Sequence, residues 1–370
     1  MKPLRIVQVV PSFVVGGAET FALALAEAQL AAGHDVHLLS IKDGGPLTTR
    51  FSHALDGRVW MMGKRSRWDA TVLDRLLKTF KRLKPDVVNT HLFTSLAWAS
   101  VTARAAGVPT IVHTQHEVHD DDQWYLPPVR QALARGLDAI VGCSAATVED
   151  VHRRKYAPGI PVELIENGVP LGDRPRAPLD GDPLVVGTVG RLVPIKGQRF
   201  LVEAVALLRD RGTRVRLVIA GDGESMGELT EQVRALSLGD RVTLLGRVDD
   251  VPIQVARFDL FALPSLSEAM PMALIEAAAA GLPLLVTTGG GGPTLLEAGA
   301  GGWAVEPGDA AALAEKIEAY ATLSVASRRA LGDASHAVAH ARYDIAATAA
   351  RYIDLYERLG RDPRGIRSHP

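Results

Sequence analysis

Short apolar runs rich in β-branched residues alternate along the chain with longer stretches rich in Ala and Leu. Runs that are apolar throughout, rather than at every second residue, are typical of strands buried on both faces of a parallel sheet. In the first half of the chain, strands are predicted at residues 4–10, 35–41, 86–90, 110–113, 139–142 and 162–165. In the second half, they are predicted at residues 184–189, 214–220, 241–245, 260–263 and 283–287.

Helices are predicted between these strands, because the intervening stretches repeat apolar residues at intervals of three and four. They are expected at residues 18–32, 68–83, 95–106, 145–154, 198–209, 224–236, 272–280 and 310–321. This alternation predicts an α/β fold with two tandem Rossmann-like, doubly wound domains. Sheets of this kind bind ligands at the carboxyl ends of their strands, and we expect the two domains to face a central cleft.

A segment without periodicity separates the two halves of the chain. Residues 170–183 carry four prolines, which is typical of an interdomain linker. We therefore predict an N-terminal domain at residues 1–170, a linker at 171–183 and a C-terminal domain at 184–342. A last helix is predicted at residues 343–360, where it is expected to pack back on the first domain, and residues 361–370 are predicted to form a frayed tail.

Composition narrows the classes of protein that fit. The chain has 370 residues, of which 47% are hydrophobic and 22% charged, enough for two globular cores. A net charge of −1 gives no support for a nucleic-acid partner. The single cysteine, Cys143, excludes intrachain disulfides and fits a reducing compartment. The first apolar run, residues 6–10, is too short for a signal sequence or a membrane span, so a cytoplasmic protein is predicted.

Two glutamates eight residues apart, Glu268 and Glu276, follow the strand predicted at residues 260–263. Carboxylates accept paired hydrogen bonds, which suits the neighbouring hydroxyls of a sugar or a ribose. Pro271 lies between them and can open a helix, whose first N–H groups and positive dipole end suit a phosphate. Sugar, ribose and phosphate together indicate a nucleotide sugar.

A second candidate element, Gly190-Arg-Leu-Val-Pro-Ile-Lys-Gly197, follows the first strand of the second domain. Arg191 can bind phosphate oxygens through two N–H groups, and Lys196 can add a point charge. Gly190 and Gly197 allow a tight path for the loop between them. The alternative is that the two basic side chains are simply solvated on a loop.

Three further glycine segments each have a structural and a functional interpretation. Gly16 and Gly17 follow the first strand and precede a helix, where they either bring the backbone close to a ligand or form a plain turn. In residues 221–227 the third glycine comes one position too late for a dinucleotide fingerprint, which favours a structural turn over a nucleotide pocket. The glycines at 289–292 lack the Gly-Lys-Ser/Thr of a phosphate-binding loop, and either approach a ligand or form a flexible connection.

Histidines cluster after the strand predicted at residues 110–113. His113, His116 and His119 lie near Glu117 and the aspartates at 120–122, a set of side chains that would also suit a metal site. Spacing of three residues after a strand does not fix a common face. A single catalytic or substrate-binding histidine is therefore preferred over a metal centre.

Residues 64–84 hold eight basic and two acidic residues, with apolar residues at roughly helical spacing. The plain interpretation is a crossover helix with a solvated basic face. The alternative is an interfacial helix that contacts anionic lipid, which would place the protein peripherally at the inner face of the cell membrane.

Five motifs occur in order along the chain: Gly16-Gly-Ala-Glu19, Asn167-Gly-Val169, Gly190-Arg191 with Lys196-Gly197, Gly221-Asp-Gly223, and Glu268-x7-Glu276. In this order and spacing the chain resembles the retaining glycosyltransferases of family 4, also called glycosyl transferases group 1, to about Leu359. The resemblance implies the two-domain GT-B fold. It also implies transfer of a sugar from a nucleoside diphosphate, with retention of anomeric configuration and without a metal or other cofactor.

The resemblance assigns the donor side of the site to the second domain. Arg191 and Lys196, beside Gly190, would hold the diphosphate, and Glu276 would accept hydrogen bonds from the ribose hydroxyls. Glu268 would lie beside the hydroxyls of the donor sugar. The backbone would reach the sugar and the distal phosphate around Met270, Pro271 and Met272, and the nucleobase would lie against Arg247 and Val248.

In the first domain, the resemblance implies that Gly16 and Gly17 form a loop near the diphosphate and the acceptor. His116 resembles the family's active-site histidine near the donor sugar, although His113 is close enough to compete for that assignment. UDP-sugar is the expected donor and GDP-sugar the next, and the expected acceptor is a glycan, a lipid-linked glycan or a small molecule.

Two positions depart from the family pattern. Ala269 stands where glycine is usual, and Thr294 stands where many relatives have a glutamate. Two rival functions therefore stay open: a non-catalytic relative that binds nucleotide sugar or carbohydrate, and a GT-B-type nucleotide-sugar epimerase.

Overall fold

The computed structural model describes residues 2–66, 69–118, 126–171, 178–248 and 250–361, with residues 126 and 127 described by their backbone alone. Contacts divide the chain into two compact units. The first consists of Met1–Pro170 with Ile345–Pro370, and the second of Leu171–Asp344. The second unit is therefore inserted, along the sequence, before the last segment of the first.

Within the described residues, the first unit has a seven-stranded sheet in the order β3-β2-β1-β4-β5-β6-β7, parallel throughout. The strands are β1 (Arg5–Val10), β2 (Asp35–Ser40), β3 (Val59–Met61), β4 (Val87–His91), β5 (Thr110–Gln115), β6 (Ala139–Gly142) and β7 (Val162–Leu164). The order reverses between β1 and β4, and the carboxyl ends beside such a switch point are where ligands bind in these sheets.

The second unit has a parallel sheet of the order β10-β9-β8-β11-β12-β13 in the part of the chain that the structure describes. Its strands are β8 (Leu184–Val189), β9 (Val215–Ala220), β10 (Val242–Gly246), β11 (Leu260–Leu263), β12 (Leu284–Thr287) and β13 (Gly302–Val305). Here the order reverses between β8 and β11. The predicted α/β architecture with two doubly wound parallel sheets is thus confirmed.

Helices connect the strands and cover the sheets. They are α1 (Gly17–Ala31), α2 (Thr71–Leu83), α3 (Leu92–Ser95), α4 (Val101–Ala105), α5 (Leu126–Ala134), α6 (Ala145–Arg153), α7 (Gln198–Asp210), α8 (Met226–Ala235), α9 (Val251–Val255), α10 (Met272–Ala279), α11 (Thr294–Glu297), α12 (Ala310–Ala321), α13 (Val325–Arg342) and α14 (Ile345–Arg361). A π-helical segment, Leu96–Ser100, joins α3 to α4. Short 3₁₀ turns occur at Pro46–Arg50, His53–Leu55 and Pro194–Lys196.

The last helix, α14, packs within the first unit. Its backbone is tied to the segment after β7, because the Ile345 N–H donates to the Val169 carbonyl at 3.1 Å. Tyr352 and Tyr356 on its inner face are fully buried beside α1 and the sheet. Arg358 adds a paired contact with the Glu163 carboxylate, at 3.0 and 2.9 Å.

The basic segment that begins at residue 64 contains the crossover helix α2. Its apolar side chains Val72, Leu76, Phe80 and Leu83 are buried in the core of the first unit, together with residues of β1 and β4. Its amphipathic pattern therefore stabilises the fold, which leaves no free apolar face for a lipid surface. Lys81 and the other basic residues of its outer side are exposed, and Trp68 lies outside the described residues.

The elements that were not predicted from the sequence include the short strands β3 and β13, the helices α5 and α9, and the long helix α13. The buried positions of α13 are Arg328, Gly332, Ser335 and Ala339, which are small or polar and so produce no apolar stripe. Gly332 packs closely on the Gly281 carbonyl, which explains why small residues are needed there. In the described part of the chain, no helix is both long and apolar enough to cross a bilayer.

Candidate functional site

The carboxyl ends of β8 and β11 lie side by side at the switch point of the second sheet. The loop after β8 carries Arg191 and Lys196, and the loop after β11 carries Ser265 and Glu268. The Leu266 N–H donates to the carbonyl of Ile195 at 2.8 Å and ties the two loops together. The fold therefore brings together basic and acidic residues that are about seventy positions apart in sequence.

Lys196 and Glu268, both predicted from the sequence, form an ion pair with each other. The pair is largely covered, with side-chain exposures of 21% for the lysine and 11% for the glutamate. Ser265, which is buried, donates its hydroxyl to the same carboxylate oxygen at 3.1 Å. The lysine was predicted to hold a diphosphate, and in this structure its charge is balanced by the carboxylate.

Arg191 differs from Lys196 in its surroundings. Its side chain is exposed, and within the described residues it makes no ion pair. Its backbone is fixed from within the fold, because Gln198 donates its amide to the Arg191 carbonyl at 3.0 Å. A guanidinium on a fixed backbone and in open solvent is available to an incoming anion.

The turn that contains Gly221 and Gly223 supports the Arg191 loop from beneath. The Gly190 N–H donates to the Ala220 carbonyl at 3.0 Å, and the Leu192 N–H donates to the Asp222 carbonyl at 3.0 Å. This segment is a structural turn, as its spacing predicted. A Cβ at Gly190 would meet only open space, so the tight path of the loop does not depend on glycine there.

The glycines at 289–292 have a role that neither sequence interpretation anticipated. Gly290 has a φ of 107° and forms a parallel bridge with Glu268, and a Cβ there would overlap the Glu268 carbonyl. The Glu268 N–H donates to the Gly289 carbonyl at 2.9 Å, and the Gly291 N–H donates to the Glu268 carbonyl at 2.8 Å. Lack of side chains in this loop therefore lets it clamp the backbone of Glu268.

The remaining predicted donor residues lie along the same carboxyl edge of the second sheet. Pro271 is the N-cap of α10, Met272 is its first residue, and Met270 precedes them with its side chain buried. Glu276 is half-buried on the second turn of α10. Arg247, exposed, and Val248, half-buried, follow β10 at the edge of the sheet.

In the first unit, Gly16 is the N-cap of α1 and Gly17 its first residue. The side chain of Glu19 folds back over this end of the helix, where a Cβ on Gly16 would lie 2.5 Å from a carboxylate oxygen. Glu19 is itself buried. A carboxylate at the positive end of a helix is stabilising, and it makes this loop better suited to hydroxyl groups than to a second anion.

The structure separates the two candidate histidines. His113 turns into the fold, where its Nδ1 lies 3.0 Å from both the carbonyl and the hydroxyl oxygen of Thr90. It lines a small cavity of about 20 Å³ beside Gln115 and Arg130, room for roughly one water molecule. His116 lies on the opposite side of the chain at the end of β5. The other members of the proposed metal cluster, His119 and Asp120 to Asp122, lie outside the described residues.

His91, at the end of β4, is the residue that the sequence reasoning missed. Its Nδ1 lies 2.8 Å from Nε2 of His116, and its Nε2 lies 2.8 Å from Oε1 of Gln8. Burial lowers the pKa of His91 well below its ordinary value and lowers that of His116 to about 3. Both rings are therefore neutral near pH 7, and they interact through a hydrogen bond between two uncharged imidazoles.

Comparison with known proteins matches both units. A family model described as Glycosyltransferase Family 4 matches residues 15–173, and one described as Glycosyl transferases group 1 matches residues 183–322. EpsF of Bacillus subtilis strain 168 is 30% identical over 217 residues, which cover 54% of this chain and 56% of EpsF. The chain thus matches little more than half the length of that relative.

Two further relatives match over more of their length. An Escherichia coli UDP-Gal:alpha-D-GlcNAc-diphosphoundecaprenol alpha-1,3-galactosyltransferase is 29% identical over 68% of this chain and 71% of its own. The crystal structure of Anabaena HepE in complex with UDP and glucose is similar with a TM-score of 0.84 at 21% identity, over 96% of this chain and 100% of HepE. One of the two family models matches each unit, and the fold agrees with them. The chain therefore belongs to the group 1 glycosyltransferases of family 4, which have the GT-B fold.

Proposed function

We propose that the protein transfers a hexose from UDP to a hydroxyl of a glycan, a lipid-linked glycan or a small molecule, with retention of configuration and without a metal. The observation that carries the proposal is the exposed Arg191 beside the Lys196–Glu268 pair at a switch point. HepE in complex with UDP and glucose and a galactosyltransferase named for UDP-Gal support the choice of donor.

Departure of UDP is the step that most needs stabilisation, because negative charge builds up on the diphosphate. Arg191 would bind two phosphate oxygens at once, and Lys196 would move its ammonium from Glu268 to the phosphate. Removal of one preorganised hydrogen-bond donor from an oxyanion site costs about 3–4 kcal/mol, which sets the scale for such a contact. They would replace the divalent cation that other transferases use.

Glu268 would then be free to accept hydrogen bonds from the donor sugar, while Glu276 would accept from the ribose. Among the described residues no carboxylate is assigned as a covalent nucleophile, so we favour attack by the acceptor on the face that UDP leaves. The oxygen of the departing phosphate would take the proton of the acceptor hydroxyl. The new glycosidic bond forms as the bond from C1 to the phosphate oxygen breaks, and UDP leaves with that proton.

The donor site is tested by thermal unfolding with UDP, GDP and ADP, each with and without EDTA. We expect UDP alone to raise the melting temperature and EDTA to leave the shift unchanged. A ligand at a hundred times its Kd adds about 2.7 kcal/mol to the free energy of unfolding. If no nucleotide shifts the transition, the proposed diphosphate site is refuted. A shift that EDTA abolishes contradicts metal independence.

Product analysis distinguishes the rival enzyme. An epimerase would convert the UDP-sugar into a second UDP-sugar and release no UDP, whereas a transferase releases one UDP for each sugar moved. A non-catalytic relative would show the thermal shift but release no UDP with any acceptor.

We further propose that the exposed basic side of α2 brings the protein to anionic lipid when the acceptor is lipid-linked. Lys78 and Lys81 are exposed there, and Leu73 is the only large apolar side chain of the described α2 residues that is exposed. Binding would therefore be electrostatic and shallow, since the apolar face of α2 is inside the fold.

Co-sedimentation with vesicles containing anionic lipid, at low and high salt, tests this surface. We expect salt-sensitive binding that weakens roughly tenfold or more in a Lys78→Glu, Lys81→Glu double variant, because each basic side chain contributes about 1 kcal/mol near such a surface. The control is an Arg199→Glu, Arg329→Glu variant, which reverses two exposed charges of the second unit. Equal binding by both variants would refute a role for α2.

A further inference from the structure

We propose that His91 is a positioning residue that holds His116 in its Nε2–H tautomer, so that His116 offers the lone pair of Nδ1 to a sugar hydroxyl. The ligand class in this inference rests on the proposed function. The arrangement of the two rings involves only residues of the first unit. His91 is fully buried and at the end of β4, and His116 directly follows β5, the next strand in the sheet.

Gln8, a fully buried residue in the middle of β1, determines which atoms of the network donate and which accept hydrogen bonds. Its amide nitrogen donates to Oε1 of Gln29 at 2.9 Å, so its own Oε1 is left as an acceptor. That oxygen receives the amide of Asn89 at 3.0 Å. Asn89 is oriented in turn by Thr114, whose hydroxyl donates to Oδ1 of Asn89 at 3.0 Å.

The polarity of Gln8 then fixes the proton on His91. Nε2 of His91 lies 2.8 Å from the accepting Oε1 of Gln8 and 3.3 Å from the amide nitrogen of Asn89. The amide of Asn89 makes its shorter bond, at 3.0 Å, to Oε1 of Gln8, so the nearer contact places the hydrogen on Nε2 of His91. A neutral imidazole has one donor and one acceptor, so Nδ1 of His91 must accept. Its partner at 2.8 Å is Nε2 of His116, which therefore donates. The remaining nitrogen of His116, Nδ1, is left with a lone pair.

The surrounding side chains hold both rings in place. Phe21 packs edge-on against His91 and His116, with ring centroids at 6.2 and 5.6 Å. Tyr352 of α14 lies 3.2 Å from the hydroxyl of Thr114 and closes the network from the other side. Nε2 of Gln29, at the outer end of the network, has no hydrogen-bond partner among the described residues, so the contacts of Gln8, Asn89 and Thr114 hold the direction. Reversal would have to turn the amides of Gln8 and Asn89 together, so the tautomer is set before any ligand arrives.

The orientation of His116 restricts the ligand group that it can meet. His116 is only half-buried, and among the described residues none donates a hydrogen bond to its Nδ1. A neutral nitrogen acceptor binds a hydroxyl and repels a carboxylate oxygen, which has no hydrogen to give. The low pKa of His116 agrees with this, since protonation at Nδ1 would convert it to a donor. The structure therefore favours a neutral hexose over a hexuronic acid at this position.

The tautomer can be measured on the ligand-free full-length protein by ¹⁵N NMR with labelled histidine. The signals of His116 are identified by their loss in His116→Phe. We expect a protonated Nε2 and an unprotonated Nδ1 in the wild type. In His91→Leu the acceptor for Nε2–H is lost, and we expect His116 to become a mixture of tautomers; His340→Gln, an exposed histidine on α13, is the control.

Two results would overturn the proposal. One is a protonated Nδ1 in the wild type, which would mean that the amides of Gln8 and Asn89 are reversed and that His116 donates outward. The other is an unchanged His116 tautomer in a folded His91→Leu protein. The wild-type measurement needs no variant, so it decides the first question even if His91→Leu does not fold.

The ligand class is tested separately by comparing a UDP-hexose with the corresponding UDP-hexuronic acid. We expect kcat/KM for the hexuronic acid to be lower by about a hundredfold. Equal use of both donors would refute the assignment of a hydroxyl to Nδ1. If UDP itself fails to bind, the proposed function fails, while the tautomer result stands on its own.

Discussion

Arg191→Ala is expected to lower kcat/KM for sugar transfer by about 10²- to 10³-fold, the effect of removing one donor from a preorganised anion site. The side chain is exposed on a fixed loop and pairs with no described acid, so its loss should cost the fold little. The measurement is the rate of UDP release from the preferred UDP-sugar, together with the thermal shift produced by UDP.

Two further variants serve as controls for Arg191→Ala. Arg191→Lys keeps the charge but loses the paired N–H groups, and it should recover only part of the rate. Arg216→Ala removes an exposed arginine near the amino-terminal end of β9, away from the carboxyl edge, and should leave the rate unchanged. Full activity in Arg191→Ala would rule out the mechanism proposed for departure of UDP.

Gly290→Ala is expected to reduce kcat/KM by about a hundredfold, the size of effect that a displacement near 1 Å produces in an active site. The added Cβ would overlap the carbonyl of Glu268 at a backbone angle that L-residues rarely adopt. Glu268 would have to move, and its contacts with Lys196 and Ser265 would move with it. Steady-state kinetics and the melting temperature measure the two consequences.

Gly239→Ala is the matched control, because a Cβ at Gly239 meets nothing within 4 Å. Binding of UDP should survive better than turnover in Gly290→Ala, since Arg191 lies on a different loop. Wild-type kinetics in Gly290→Ala would show that the position of Glu268 is not critical for the reaction.

The fold could be predicted well because its strands are buried on both faces. The runs at 139–142, 184–189 and 260–263 were predicted with the bounds that the structure shows for β6, β8 and β11. Side chains on both faces of these strands must be apolar, so the signal is continuous and strong. By contrast, β3 has only three residues and β13 begins with a glycine, and both lie at sheet edges.

The residues of the candidate site could be predicted from their types, but the contacts between them could not. Charge and position after a strand identified Lys196 and Glu268, yet nothing local to either indicates that they meet, because a contact over 72 positions depends on the fold of the whole unit. The same holds for the loop at Gly290. Its glycines suggested a ligand or a flexible connection, and their actual neighbour is the backbone of Glu268.

His91 left a signal in the sequence that was available but not used. The strand predicted at 86–90 ends in Asn-Thr and is followed directly by His91, which makes three polar residues where a buried strand should be apolar. Polar side chains inside a sheet need partners, and at the carboxyl end of a strand they are candidates for function. The identity of those partners, Gln8 and His116, depended on strand order and could not be read from the local pattern.

The position of α14 has a consequence for how the molecule is made. During synthesis the ribosome produces the whole second unit, Leu171–Asp344, before the last helix of the first. Until then the hydroxyl of Thr114 and the amide of Gln8 lack their tyrosine partners, Tyr352 and Tyr356. In the nascent first unit, the part of the sheet that includes β1 and β5 therefore stays uncovered until α14 has been synthesised. The environment that orients His91 and His116 is thus among the last parts of the protein to be completed.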